Sequence, residues 1–228
     1  MSEPRGPLST DPPGTVLAGT DWHDPGQAAR ALPEALRRFA RPERLAELLH
    51  TARTDPRLLG LSEVRPWGNR MVLHEDPRSG ARLRLQHWAG GDQDPHGRPH
   101  NHRWAFASTI LHGSYVHRLY GDVPDVERRL AHGPATPLTE RTESVGSLYV
   151  LAPEAVHSAT AAAGTVSLLL RGPSVGAYAV RLNRDLTAFA ERKSGIAHER
   201  RDDLPARLFT TADADALAAL LSGLSVLA

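Results

Sequence analysis

The stretch His100-Asn101-His102-Arg103-Trp104-Ala105-Phe106-Ala107-Ser108-Thr109-Ile110-Leu111 decides how the rest of the chain is read. Two imidazoles, one residue apart, lead into an apolar run. In extended chain, residues i and i+2 project to the same face. Both rings therefore point together, as two ligands of one metal ion require. By the same alternation Trp104, Phe106 and Ser108 share the face of His102 and are expected to line the space the rings look into. A third imidazole, His157, follows another strand-like run, Gly146 to Leu151.

Working outward, short strands recur on both sides. Arg70 to His74 and Ala81 to Trp88 flank the turn sequence Asp76-Pro77-Arg78-Ser79-Gly80, which predicts a hairpin. The second of these strands alternates leucine with arginine. Past the His100 strand, a turn at Gly113 leads to a strand over 114–120, and residues 121–136 read as a polar loop. Strands resume at 138–144, 147–151, 156–161, 165–171 and 177–182. This spacing argues for an all-β core, closed as a barrel or double-sheet jelly roll. Residues 1–20 read as a disordered tail. A helix follows, with Asp24 as cap and Pro25 in its first turn, and Pro33 is expected to split it. A second helix covers Pro42 to Ala52. Behind the barrel, helices are expected over Leu186–Arg192 and Ala212–Leu221, the latter after a Thr210-Thr211 cap. The division is thus 1–20 tail, 21–63 N-terminal helical segment, 64–182 barrel and 183–228 C-terminal helical segment.

At 228 residues the chain can bury a sizeable core as one domain. Its formal net charge of +1, with no basic run, argues against nucleic acid as a partner. Cysteine is absent, so thiolate ligands, disulfides and a cysteine nucleophile are excluded. No apolar stretch approaches a membrane span and the N-terminus lacks a signal-peptide core, so a cytoplasmic protein with no membrane partner is expected. There is neither a phosphate-binding glycine loop nor a Gly-x-Ser-x-Gly elbow. The twelve histidines cluster, six of them lying between His87 and His117. Gln86 and His87 fall on opposite faces of one strand, so only one can look inward. His96 reads as a solvated loop residue, and His74, His112, His117 and His132 as surface residues.

These motifs resemble those of the cupins. The family's first motif is a His-x-His pair followed by a strand, usually with a glutamate, and then a glycine. Here the pair is His100 and His102, the glycine is Gly113, and Phe106 stands where the glutamate would be. The second motif is a glycine with a third histidine eleven residues on, matched by Gly146 and His157. Pro153 is displaced by one position and Glu154 replaces the family's glycine. The resemblance covers roughly 64–182 and implies a double-stranded β-helix, with His100, His102 and His157 holding one divalent metal. Three neutral imidazoles suit Fe(II), and also Ni, Zn, Co or Cu. Three protein ligands leave coordination positions open, as catalytic sites do. Because no ligand is charged, the site favours an anionic substrate.

Within the cupins, the all-histidine set is similar to that of the cysteine dioxygenase type. The similarity implies a non-haem Fe(II) dioxygenase using O2 on a small anionic substrate such as an amino-acid derivative. It makes Arg70 the candidate carboxylate clamp, since a guanidinium grips both oxygens. The subfamily's Ser-x-His-x-Tyr run is here Ser167-Leu168-Leu169-Leu170-Arg171. Ser167 persists, but an apolar side chain and Arg171 replace the histidine and tyrosine, which puts cysteine in doubt as substrate. Arg171 could bind a second anionic group or face solvent at the barrel rim. Two alternatives stay open: a non-oxidative isomerase or lyase, and a metal- or small-molecule-binding cupin without turnover. Cupins often pair, so a homodimer is a further expectation.

Overall fold

The computed structural model describes residues 12–22, 24–90, 97–193 and 207–227. Four helices come first: α1 (Pro13–Gly19), α2 (Pro25–Phe39), α3 (Pro42–Ala52) and α4 (Pro56–Gly60). Strands follow as β1 (Glu63–Arg65), β2 (Gly68–Glu75), β3 (Arg82–Trp88), β4 (Phe106–His112) and β5 (Ser114–Asp122). After α5 (Val123–Leu130) come β6 (Thr139–Ser144), β7 (Leu148–Leu151), β8 (Ala155–Ala161), β9 (Thr165–Arg171), β10 (Ala179–Leu182) and β11 (Phe189–Lys193). The chain ends with β12 (Arg207–Leu208) and α6 (Thr211–Gly223).

One antiparallel sheet runs in the order β12-β1-β2-β3-β9-β4-β7. The second comprises β6-β5-β8 and β10-β11, joined by the backbone of His100, which bridges His157 of β8 and Arg181 of β10. From β4 to β10 the chain crosses between the two sheets five times. That is the double-stranded β-helix of the cupin type, all-β at its core with helices at both ends. Two glycines turn corners at positive φ: Gly113 between β4 and β5 has φ +75°, and a Cβ there would sit 2.6 Å from Thr165 Oγ1. Gly146, between β6 and β7, has φ +84°. The β2–β3 hairpin turns on Asp76, whose carboxylate accepts from Arg78 N, Ser79 N and Ser79 Oγ.

The alternation along β3 and β9 assigns their faces. Leu83, Leu85, Val166, Leu168 and Leu170 point out of the barrel into a core shared with Leu32, Leu36 and Phe39 of α2, Leu45 and Leu49 of α3, and Leu217 and Leu221 of α6. Arg84, Gln86, Ser167 and Leu169 point the other way, into the barrel. The helices take the apolar face, so the polar residues of the pattern are left inside. A separate cluster, including Trp67, Trp88, Phe106, Ile110, Tyr115, Tyr149 and Leu151, occupies part of the space between the sheets and borders the cavity left there.

Several local expectations are corrected. Residues 13–19 are helical, because Leu17 is buried and its carbonyl accepts from Trp22 Nε1 at 3.1 Å; residues 1–11 of the expected tail lie outside the described residues. Helix α2 continues through Pro33, held by fully buried Leu32, Ala35, Leu36 and Phe39. The expected loop 121–136 contains α5, capped by Asp122 on Asp125 N and anchored by buried Val126. Leu186–Arg192 is no helix. Asn183 Oδ1 accepts from Thr187 N and Ala188 N, Leu186 turns at φ +60°, and β11 then pairs with β10. Among the described residues no helix is long and apolar enough to cross a membrane.

Candidate metal centre and its pocket

His100, Asn101 and His102 are not the start of β4; they form a crossing segment stitched into the second sheet. His100 N donates to His157 O and His157 N to His100 O, both at 2.9 Å. Asn101 fastens the segment on both sides, its Nδ2 donating to Pro153 O at 3.1 Å and its Oδ1 accepting from Val180 N at 2.7 Å. The alternation nonetheless carries through the crossing, and His100, His102, Trp104, Phe106 and Ser108 all face one cavity with His157. A ligand nitrogen from each of His100, His102 and His157 lies within 4.8 Å of the others.

The hydrogen bonds select which nitrogens converge. His100 Nδ1 stands 2.9 Å from Arg98 O, and a carbonyl only accepts, so Nδ1 carries the proton and Nε2 a lone pair. Glu143 Oε1 lies 3.1 Å from His117 Nδ1, and His117 Nε2 lies 3.0 Å from His157 Nδ1. With the carboxylate accepting from His117 Nδ1, His117 Nε2 must accept from His157 Nδ1. The lone pair of His157 is then on Nε2, 3.0 Å from His102 Nε2. Burial pulls His100 down to about 4 and His157 well below the ordinary imidazole value, and it lowers His117 despite Glu143. All three are therefore neutral near pH 7. His102 Nε2–H can donate to the His157 Nε2 lone pair, and once that proton leaves the two nitrogens are placed to share a cation. Two nitrogens at 3.0 Å can both lie ~2.1 Å from a single ion. The donor set fits a divalent metal.

The expected walls are in place, with one exception. Phe106 is buried and meets the His102 ring edge-on at 4.9 Å, so an aromatic face stands where the family pattern has a carboxylate. Trp104 stacks on His102 at 5.4 Å. Arg70, Ser108 and Ser167 line the cavity. Arg70 is also bound up with Glu63, 3.6 Å away, and lies over the Trp67 ring. Arg171 does not line the cavity and does not face solvent: it is buried, its guanidinium 4.7 Å from the ring centre of Trp104 and donating to Gly172 O.

Sequence reasoning missed several residues. His117, expected at the surface, is fully buried and supports His157. Gln86, not His87, is the inward member of its pair. His74 and His112 are half-buried, His132 is exposed, and His96 lies outside the described residues. Arg84, Trp88, Tyr115 and Tyr149 also line the cavity. The two phenols hydrogen-bond each other, and Ser108 joins them. Burial pushes Tyr149 up to about 12 and Tyr115 well above the ordinary phenol value, so both keep their protons. The period-2 pattern of β5 places Tyr115 and His117 on one face; what it could not say is that this face is the inner one.

No family model and no curated protein matches this chain. Solved structures do match about half of this chain. KdgF from Halomonas sp. is 20% identical over 48% of this chain and 82% of its own, with a TM-score of 0.36. An RmlC-like cupin from Shewanella frigidimarina is 16% identical over 47% of this chain and 77% of its own, at 0.33. The hydroxypropylphosphonic acid epoxidase from S. wedmorenis is 15% identical over 47% and 51%, at 0.34, so this chain spans about half of that protein. What the present barrel does is read from its own side chains.

Proposed function

We propose that this protein is a metal-dependent enzyme of the cupin type, a mononuclear non-haem Fe(II) oxygenase acting on a small anionic substrate. The observation that carries this reading is the convergence of a ligand nitrogen from each of three imidazoles, with the Nε2 lone pairs of His100 and His157 set by hydrogen bonds at Nδ1, at the wall of a cavity with aromatic and cationic sides. His100, His102 and His157 would hold the ion, and bound iron supplies a centre that can activate O2. Phe106 and Trp104 restrict water beside the imidazoles. The guanidiniums at the cavity supply the charge that holds an anion in place. Of the cysteine dioxygenase pattern, the three histidines, Arg70 and Ser167 persist, whereas the histidine and tyrosine after Ser167 do not.

A second reading draws on the Tyr115–Tyr149 pair. Two protonated phenols facing the cavity can deliver a proton to a leaving group or a carbanion, as a lyase or isomerase requires. The two readings part on O2 consumption. The protein is purified without oxygen, its metal is measured, and O2 uptake is followed against a panel of small carboxylates and thiols. Iron with substrate-dependent uptake supports the oxygenase. Retained metal with product but no uptake supports the second reading. His157→Ala should lose the metal while remaining folded by circular dichroism, and full occupancy in that variant would refute the ligand set.

A further inference from the structure

The most unusual group in the cavity is Arg84. Its side chain comes from the middle of β3, points between the sheets and is only 8% exposed. Its Nε is buried without a hydrogen-bond partner, its guanidinium carbon lies 6.0 Å from the ring centre of Trp104, and among the described residues it forms no ion pair, the nearby carboxylates being taken by Arg65, Arg70 and Arg82. Of the two guanidiniums that line the cavity, Arg70 is engaged by Glu63 at 3.6 Å; Arg65, Arg82 and Arg171 do not line it, Arg65 binding Glu63 at 2.7 Å, Arg82 binding Glu75 at 2.8 Å, and Arg171 donating to Gly172 O beside the Trp104 ring. Among the described residues Glu63 is the carboxylate that acts on Arg84, and it already answers Arg65 and Arg70; burial alone would raise its pKa, yet Arg70, Arg65 and Arg84 together hold it low. A buried guanidinium does not shed its proton, and an unpaired buried charge is costly. Among the described residues, the cavity thus holds a positive charge that is in no ion pair.

We propose that Arg84 is the substrate's anion anchor and that the substrate is a small carboxylate with an apolar body and no ammonium group. This rests on the enzymatic reading of the same cavity and sharpens its substrate class. A carboxylate matches the planar fork of a guanidinium, and Gln86, next but one on the same face, adds an amide. Trp88, Trp104, Phe106 and Leu169 supply the apolar walls. Among the described residues, no aspartate or glutamate lines the cavity. An α-ammonium would therefore meet cations and rings instead of an acidic partner. The amino-acid derivative implied by the resemblance is replaced by a non-zwitterionic acid, and the anchor moves from Arg70, shared with Glu63, to Arg84.

The test uses the full-length protein as isolated and two matched probe sets read by calorimetry and by tryptophan fluorescence. The sets are phenylacetate, phenylacetamide and phenylglycine, and butyrate, butyramide and 2-aminobutyrate. At least one carboxylate should bind, and its amide and its amino acid should each bind about tenfold or more weakly, the loss expected for one charge-assisted hydrogen-bond pair. Arg84→Met should weaken the carboxylate by about 10- to 100-fold and leave the amide unchanged, with Arg84→Lys in between. Circular dichroism and metal content, both unchanged, certify that the variants are folded and loaded. Equal binding of the amino acid, carboxylate affinity unchanged in Arg84→Met, or no binding by either carboxylate overturns the proposal. Should Arg84→Met misfold, the probe series on the native protein still decides it. Loss of metal in His157→Ala tests the ligand set separately, so failure of the anchor and failure of the metal site are told apart.

Discussion

Replacing His117 by phenylalanine tests the support given to the candidate metal ligands without touching one. The ring is fully buried, with Nε2 3.0 Å from His157 Nδ1 and Nδ1 3.1 Å from Glu143. Phenylalanine keeps the ring and removes both nitrogens. His157 Nδ1–H is then a buried donor without an acceptor, at a cost of about 1–3 kcal/mol. The imidazole can escape by moving its proton to Nε2, which removes the lone pair from the metal side. Either way the penalty falls on metal binding, and at 1.4 kcal/mol per tenfold it corresponds to a loss of about 5- to 150-fold. The same range, about 10- to 100-fold, is typical for a hydrogen-bond partner behind a metal-ligating histidine. The assay is Zn(II) titration of the metal-free protein against a chelator of known affinity. Glu143→Gln acts through the same chain, so the double variant should lose little more than His117→Phe alone. A folded His117→Phe protein whose affinity stays within about threefold of the parent, against that expected loss, would refute the relay. So would full additivity of the two substitutions.

Three further outcomes are expected. Phe106→Glu places a carboxylate beside His102 and His157 and should tighten Zn(II) by about tenfold or more while lowering the melting temperature of the metal-free protein, where that charge is unpaired; the same titration and a thermal scan check both. Metal-free protein should lose stability on acidification between pH 6.5 and about 4, because unfolded imidazole takes up a proton there and buried His100 does not. That residue alone accounts for roughly 3 kcal/mol across the window, read by urea denaturation at stepped pH, with the loss complete once His100 itself titrates. Thr210→Ala removes the side chain that accepts from Asp213 N at the start of α6 and should cost about 1 kcal/mol in urea unfolding with metal affinity unchanged.

The pairing of His100 and His102 was legible because alternation is local. His100 and His102 share a face by alternation, and the corner glycines Gly113 and Gly146 have the positive φ that a turn demands. Helix α6 was legible from Thr210, which forms a capping box with Asp213. Helix α5 had its signal too, Asp122 followed by Pro124, but eight residues inside a polar stretch offer only Val126 as a buried anchor. His117 was misread for a different reason. Its strand neighbours Val116 and Arg118 suit a half-exposed strand, and nothing local says that Glu143, twenty-six residues away, will reach it. The paired loops that make β11 a strand depend on Asn183 bonding to Thr187 and Ala188, a contact that helical periodicity in Leu186–Arg192 hides.

The deepest ambiguity was which side of the sheet is inside. Alternating leucine and arginine on β3 ordinarily means a wet arginine face and a leucine face turned into the barrel. Here the first and last helices bury Leu83, Leu85, Leu168 and Leu170 from outside, so the hydrophobic effect is satisfied without filling the barrel. The interior is only partly packed, by the aromatic cluster, and can also carry histidine, glutamine, serine, tyrosine and an arginine that forms no ion pair among the described residues. Each of these is unfavourable in a dry core. Their retention therefore depends on the helical cover, and the segments outside the barrel are what permit a reactive interior. The same cover explains why Arg84 escaped notice: read as a strand in isolation, its row belongs to solvent, and only the helices packed on the opposite face turn it toward the imidazoles.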